Sequence, residues 1–511
     1  MASAPNSTLT IRAAWLAGGK TIGFALAFAL PLLLVRRLSQ SEFGLYKQVF
    51  LFVSSAMAFL PVGFQMSAYY FFAREPKEQQ GQIVFNILVF LMVVTSSACV
   101  VVILFPSLLL KLFANPEMMN QAPLVGFIVM TWVVSAFLDH VILARQETKL
   151  ATLLLVISQV TKTSLLLGAV IIFRSVRALL FAAIIQGFLQ TTILIVYLRF
   201  RFGGFWKDFN WPLMRQQLAY ALPLGIASIL LQLQTTLDNY FVSNLFGAEA
   251  FAVYSIGCFQ LPLVIILTES IGLTTLPQVN ELQTAGKTRE VVELLSRVIR
   301  KQSLVYLPLY FLLLVIGREL IELLFTRQYL GSWPIFAVNL ILIPLAIISS
   351  ASDPVIRAYS AHRYFVLRTR ALLVVLLVIG LWFFVPRFGM IGAITVMASI
   401  SVLESAIIAS RVISILRIRF RDLEFLRDVV KIGAAACSAG AVALLVRAVI
   451  ADMVPFAILA VCGSVFVSVY LSLILITGVL TPEELRSVRH SFVRLHQHIF
   501  SRLAPTPRSG S

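Results

Sequence analysis

Long apolar runs, each broken by a few polar or basic residues, recur along the whole chain. They cover roughly 11–35, 43–73, 82–105, 121–143, 150–173 and 178–199, then 214–239, 250–279, 302–324, 333–358, 364–385 and 390–412, and finally 428–450 and 455–479. The runs are continuous rather than alternating, which is a helical pattern and not that of a strand with one polar face. A helix needs about 20 apolar residues to cross a bilayer, and every run meets that length. The pattern predicts an all-α integral membrane protein of about fourteen transmembrane helices, with connectors too short to hold a sizeable soluble domain.

Composition agrees with this reading, and charge adds sidedness to it. The 511 residues are 59% hydrophobic and 13% charged, against roughly 25% charged in soluble proteins, and the mean hydropathy is +0.93. A water-soluble enzyme, a disordered chain and a secreted disulfide scaffold are thereby excluded. Cys99, Cys258, Cys437 and Cys462 lie singly in apolar runs, with neither disulfide nor zinc spacing. The net charge of +18 comes from 41 Lys and Arg against 23 Asp and Glu. With a cytoplasmic N-terminus, the tails and connectors on that side carry roughly three times the basic residues of the opposite side, the positive-inside bias. The opposite connectors hold Arg36, Arg37, Lys47, Lys111, Arg174, Arg177, Arg318, Arg327, Arg387 and Arg447, and Lys20 and Lys162 fall inside spans. An even span number puts the C-terminus in the cytoplasm too. The basic excess therefore reports topology and calls for no nucleic acid.

Parts of the chain repeat. Leu38-Ser-Gln-Ser-Glu-Phe-Gly-Leu-Tyr46 resembles Leu245-Phe-Gly-Ala-Glu-Ala-Phe-Ala-Val-Tyr254, Leu112-Phe113 matches Leu324-Phe325, and Arg174 matches Arg387, in order and at nearly constant offset. Two six-helix halves in parallel repeat are expected, residues 1–199 and 214–412, joined by a basic and aromatic linker at 200–213. Two extra transmembrane helices at 413–479 and a tail at 480–511 follow. Transporters built from such repeats hold their substrate at the interface between halves. In the tail, Thr481-Pro-Glu-Glu484 forms a capping-box pattern. Leu485, Val488, Phe492, Leu495 and Ile499 then share one face with basic residues off it. This predicts an amphipathic helix on the anionic lipid of the cytoplasmic leaflet, or else against a soluble partner helix.

The ordered motifs Leu38-Ser-x-x-Glu-Phe-Gly-x-Tyr46, Tyr69-Tyr-Phe-Phe-Ala-Arg74, Asp238 with Phe246-Gly and Tyr254, Leu324-Phe-x-x-x-Tyr329 with Ala358-x-x-x-x-Arg363, and Arg387-Phe-Gly-x-x-Gly-Ala393 carry a resemblance. Over roughly residues 10–412 the chain resembles the polysaccharide transporter family, the Wzx-type oligosaccharide-lipid flippases of the multidrug/oligosaccharidyl-lipid/polysaccharide (MOP) exporter superfamily. The resemblance implies a bacterial inner-membrane flippase that moves polyprenyl-diphosphate-linked oligosaccharide by alternating access. O-antigen or exopolysaccharide repeat units would be the cargo, with a polysaccharide polymerase as a possible partner. Thr326 stands where Gly often continues the Leu-Phe run, and Asn239 where a basic residue often follows the Asp.

No phosphate-cradling loop, metal-ligand spacing or catalytic constellation is visible, so neither cofactor nor enzyme activity is expected. Ionisable groups inside spans are costly unless they face a cavity or a partner. Lys20 lies in the first span, and Lys162 in the fifth with Ser158 and Gln159 on its face. Ser228, Gln232, Thr235 and Asn239 form one stripe at helical spacing, with Asp238 beside it. Glu269 lies in the eighth span and Glu404 in the twelfth. On a cavity reading, Lys20 and Lys162 hold the diphosphate, and Gln159, Gln232, Thr235 and Asn239 bond sugar. Asp238 or Glu269 then binds a coupling ion. On a structural reading, these groups pair between helices, as Gln186 and Gln190, one turn apart, are expected to do. The alternatives are a cation-coupled multidrug antiporter, which favours an acidic cavity, and a multispan glycosyltransferase or ligase, which needs a large extracytoplasmic loop.

Overall fold

A computed structural model describes residues 4–207, 209–359, 363–419 and 424–479. The amphipathic tail at 480–511 and the side chain of Lys20 lie outside the described residues. Helices run in the order α1 (Ala4–Leu34), α2 (Gln40–Phe59), α3 (Ser67–Phe72), α4 (Gln80–Leu104), α5 (Ser107–Phe113), α6 (Pro116–Asn120), α7 (Ala122–Ser135), α8 (Phe137–Ala144) and α9 (Thr148–Phe173). They continue as α10 (Val176–Arg201), α11 (Trp211–Gly257), α12 (Pro262–Thr284), α13 (Thr288–Phe325), α14 (Trp333–Asn339), α15 (Leu342–Ala358), α16 (Arg363–Leu416), α17 (Phe425–Val449) and α18 (Pro455–Ile476). Among the described residues no strand forms.

The chain is an all-α multi-pass membrane protein. Among the described residues, ten helices are long and apolar enough to cross a membrane, and twelve if each bent pair counts as one span. The bent pairs are Gln40–Phe59 with Phe64–Phe72, and Arg327–Asn339 with Leu342–Ala358. This count does not reach the fourteen runs of the sequence. The first run lies in α1 (Ala4–Leu34), whose described side chains from Thr21 onward make only the shorter apolar segment Thr21–Leu34. The runs 364–385 and 390–412 share the element α16, which is broken at Gly389 (φ 61, ψ −146). A straight helix would hold Gly380 and Val396 about 24 Å apart, yet a Cβ on Gly380 would lie 2.8 Å from Val396 Cγ1. The chain therefore folds back at Gly389, in a conformation that residues with a Cβ rarely adopt.

Two compact units divide the chain, Met1–Lys287 with Leu320–Ile415, and Thr288–Glu319 with Leu416–Ser511. The second unit is built on small residues. Ala435, Ala439 and Ala443, at helical spacing on α17, are buried against Cys462 and Phe466 of α18. Such residues let membrane helices approach closely. Tyr470 donates its hydroxyl to the Leu304 carbonyl of α13 at 3.0 Å, and Arg447 of α17 donates to Glu319 of α13 at 2.7 and 3.1 Å.

In the first unit, α1 lies on α9, with Gly19 against Thr152 and Gly23 against Leu155 and Gln159. α2 lies along α11, and here the two halves of the sequence meet. Gly44 abuts the Ala248 carbonyl and Gly225 abuts the Val62 carbonyl, each so closely that a Cβ would overlap it. The buried Gln48 donates to Ser243 Oγ at 2.8 Å and accepts from Asn115 at 2.6 Å. The stretch Leu38–Tyr46 thus packs directly on the stretch it resembles, Leu245–Tyr254. Nearby, Arg36 donates to the Leu323 carbonyl at 2.8 Å and Gln40 to the Gln328 carbonyl at 2.7 Å, which tie this end of the seam shut.

Candidate functional site: cavities at the seam between the halves

A cavity of ≈320 Å³ opens between the halves, walled by α2, α11, α15 and α16. Tyr46, Lys47, Thr235, Asp238, Asn239 and Cys258 are among its lining residues. A second cavity, of ≈430 Å³, lies within the first half among α2, α7, α8, α9 and α10 and contains Lys162, Gln159, Ser158, Trp132 and Asp139. Tyr46, Phe50 and Ser54 line both cavities. Spaced four residues apart, they form one stripe of α2, so the two spaces adjoin along this face. A third cavity of ≈310 Å³ in the second half holds Glu269, with Gln260 and Asn339 shared with the seam cavity.

Aromatic rings run along this border without a break. Tyr46 and Phe50 have ring centroids 4.8 Å apart, and Phe50 and Trp132 5.4 Å apart. Trp132 is fixed by its indole N–H, which donates to the Ala183 carbonyl at 2.8 Å. Lys162 Nζ then lies 4.4 Å from the Trp132 ring centre, a cation–π contact at the end of the row. Lys47 Nζ lies 5.6 Å from the Phe43 ring centre.

Charge compensation separates two kinds of ionic group. Arg370 meets Glu404 at 3.4 Å, and Gln234 donates to the same carboxylate at 2.6 Å. Glu404 therefore follows the structural reading, as does the Arg447–Glu319 pair. Lys47 and Lys162 differ. Among the described residues neither has a carboxylate within ion-pair distance. Asp139 lines the same cavity as Lys162 without pairing with it.

The structure brings together some of the residues expected from sequence and scatters others. Lys162 and Gln159 share the first-half cavity, whereas Thr235, Asp238 and Asn239 line the seam cavity. Glu269 stands apart from Asp238 in the second-half cavity. Gln232 and Ser228 line none of these spaces, because the stripe of α11 leaves the cavity below Thr235. Asp238 is buried and accepts from Tyr254 Oη at 2.7 Å and Asn239 Nδ2 at 3.1 Å. Gln186 donates to the Ser158 carbonyl at 3.3 Å, and Gln190 bonds Ser158 Oγ and Ser135, so both glutamines do link helices.

Two lining residues escaped the sequence reading. Lys47 was assigned to a connector, but it sits about two turns inside α2 and faces the cavity. Its position within the apolar run 43–73 was the available signal. Asp139, inside the run 121–143, carried the same signal.

These features define a multi-pass helical membrane protein with one cavity at the junction of two chain halves and one inside each half. Residues 33–334 match the family described as polysaccharide biosynthesis protein, and the chain belongs to that family. By sequence, no curated protein matches it significantly. Its fold is shared by several solved membrane-transporter structures. A lipid II flippase MurJ structure in an inward closed conformation aligns with TM-score 0.72 and 11% identity, covering 90% of this chain and 98% of that one. An inward-facing MATE-family multidrug resistance transporter of the MOP superfamily aligns with TM-score 0.62 and 13% identity, over 78% and 95% of the two chains. A MOP superfamily transporter from Pyrococcus furiosus, described as having a binding pocket of reversed polarity, gives 0.57 and 14%, over 80% and 96%.

Proposed function

We propose that this chain is a flippase that carries polyprenyl-diphosphate-linked oligosaccharide across a bacterial inner membrane, with both termini in the cytoplasm. The observation that carries the reading is the pair of lysines, Lys47 and Lys162, that face membrane-embedded cavities without a carboxylate partner among the described residues. An ammonium in such a place costs several kcal/mol, and among the described residues only an aromatic face, Phe43 for Lys47 and Trp132 for Lys162, lies against it. An anionic cargo entering the cavity supplies the missing countercharge. Family membership supports the same class of cargo, since the family is one of polysaccharide biosynthesis.

The mechanism is alternating access, without covalent change to the cargo. The head group enters between the halves and meets Lys47. Thr235, Asn239 and Gln159 offer hydrogen bonds to sugar, and Lys20 remains a further candidate on α1. The halves part along the α2–α11 seam and release the sugar on the far side, while the polyprenyl tail stays in the lipid. Asp238 and Glu269 are the candidates for a coupling cation. A membrane potential contributes about 2.3 kcal/mol per charge per 100 mV, so inward movement of one cation drives the cycle appreciably. Release of the glycan outside places a polymerase downstream, and the tail at 480–511 is suited to anionic lipid. A multidrug antiporter, which takes cationic cargo, is disfavoured by the two bare ammonium groups.

Expression in a strain lacking its own oligosaccharide-lipid flippase tests the reading. Surface polysaccharide is expected to return. Accumulated lipid-linked intermediate, in cells that contain the protein in the membrane, would overturn it.

A further inference from the structure

The two lysines line adjoining spaces. Lys47 lines the seam cavity and Lys162 the first-half cavity, and the α2 stripe Tyr46, Phe50 and Ser54 borders both. Along this border runs the aromatic row Tyr46, Phe50 and Trp132, with centroid steps of 4.8 and 5.4 Å, and Lys162 Nζ caps its far end 4.4 Å from the indole. Aromatic faces suit the apolar C–H faces of sugar rings. Gln159 and Thr161, in the same cavity, provide amide and hydroxyl partners for sugar hydroxyls.

We propose that this protein selects an acidic glycan: the lipid-proximal phosphate meets Lys47, the sugar lies along the Tyr46–Phe50–Trp132 row, and a carboxylate or acidic substituent on that sugar meets Lys162. The inference rests on the flippase reading above and narrows its cargo from lipid-linked oligosaccharides in general to those carrying a second negative charge beyond the diphosphate. It also divides the labour of the lysines. Lys47 serves any diphosphate-linked cargo, and Lys162 decides which sugar is taken. Paired inside a desolvated cavity, an ammonium–carboxylate hydrogen bond is among the stronger ones, so its presence or absence discriminates well between cargoes.

The test uses the full-length protein in nanodiscs and two short-chain polyprenyl-diphosphate disaccharides that differ only in the outer sugar, glucose in one and glucuronate in the other. Wild type is expected to bind the glucuronate form about tenfold or more tightly, the ratio that a charge-assisted hydrogen bond supports. Lys162→Gln should bring the ratio to about one, and Lys162→Arg should keep the preference. Lys47→Gln should weaken both cargoes alike. Equal affinity of wild type for the two cargoes, or a ratio unchanged in Lys162→Gln, overturns the acidic-glycan inference and leaves the flippase reading standing. Absence of binding to either disaccharide overturns both.

Discussion

Tyr254 donates its hydroxyl to Asp238 across 2.7 Å, although the two lie sixteen residues apart in one element, α11. The chain reverses between them at Gly247, whose φ of 78° and ψ of −174° are open to glycine almost alone. Gly247→Ala should therefore strain the turn by about 1–3 kcal/mol. Tyr254→Phe leaves the Asp238 carboxylate a donor short inside the membrane, a loss of about 1–3 kcal/mol. Both variants are expected to unfold at lower temperature in detergent, and an unchanged transition in Gly247→Ala would mean that the turn is not as described.

Close approach at the seam gives a second expectation. Side chains at Gly44 or Gly225 would overlap the Ala248 and Val62 carbonyls, whereas Gly168 of α9 has open space around its Cβ position. Backbone atoms cannot swing aside as side chains do, so Gly225→Ala should lower thermal stability and Gly168→Ala should leave it unchanged or raise it slightly. Equal effects at the two positions would contradict the seam.

Compensated and bare charges should respond in opposite directions. Arg370→Met strips Glu404 of its guanidinium and should destabilise by about 1–3 kcal/mol. Glu404→Gln in the same chain should recover part of that loss, as a thermal double-mutant cycle reads it. Lys162→Met removes a cation that has no ion-paired carboxylate among the described residues, so it should unfold no earlier than wild type while transport falls. Stability gained where function is lost is the pattern of a binding site. Destabilisation by Lys162→Met comparable to that of Arg370→Met would assign Lys162 a structural role instead.

Motion along the seam is open to direct control. Gln48 and Ser243 face one another across α2 and α11 at 2.8 Å. A short thiol-reactive cross-linker between Gln48→Cys and Ser243→Cys, in a background without the four native cysteines, should hold this end shut and stop transport. Full activity after complete cross-linking would show that the seam need not part here.

Much of this architecture was legible in the sequence because the bilayer imposes one long apolar run per crossing. Lys162 was legible for the same reason, as a charge in the middle of such a run. The turns at Gly247 and Gly389 were less so, since helical pattern continues on both sides of each and only backbone geometry shows the reversal. Lys47 lay near the start of its run, where a cation reads equally as loop or helix. Gln232 illustrates the opposite error: its spacing places it on the face of Thr235 and Asn239, but the cavity is shorter than the helix that borders it. That α13 packs with α17 and α18 up to Glu319 depends on side-chain fit between distant segments, which periodicity does not encode.

Translocation by purified protein in proteoliposomes tests the central claim most directly. A polyprenyl-diphosphate oligosaccharide that carries a uronic acid is placed in the outer leaflet, and its loss to a non-permeant glycosidase is followed over time. Wild type should move the lipid into protection, and Lys47→Gln and Lys162→Gln should move it far more slowly at equal incorporation. Transfer by both variants at the wild-type rate would contradict the account, and so would the absence of transfer by wild type.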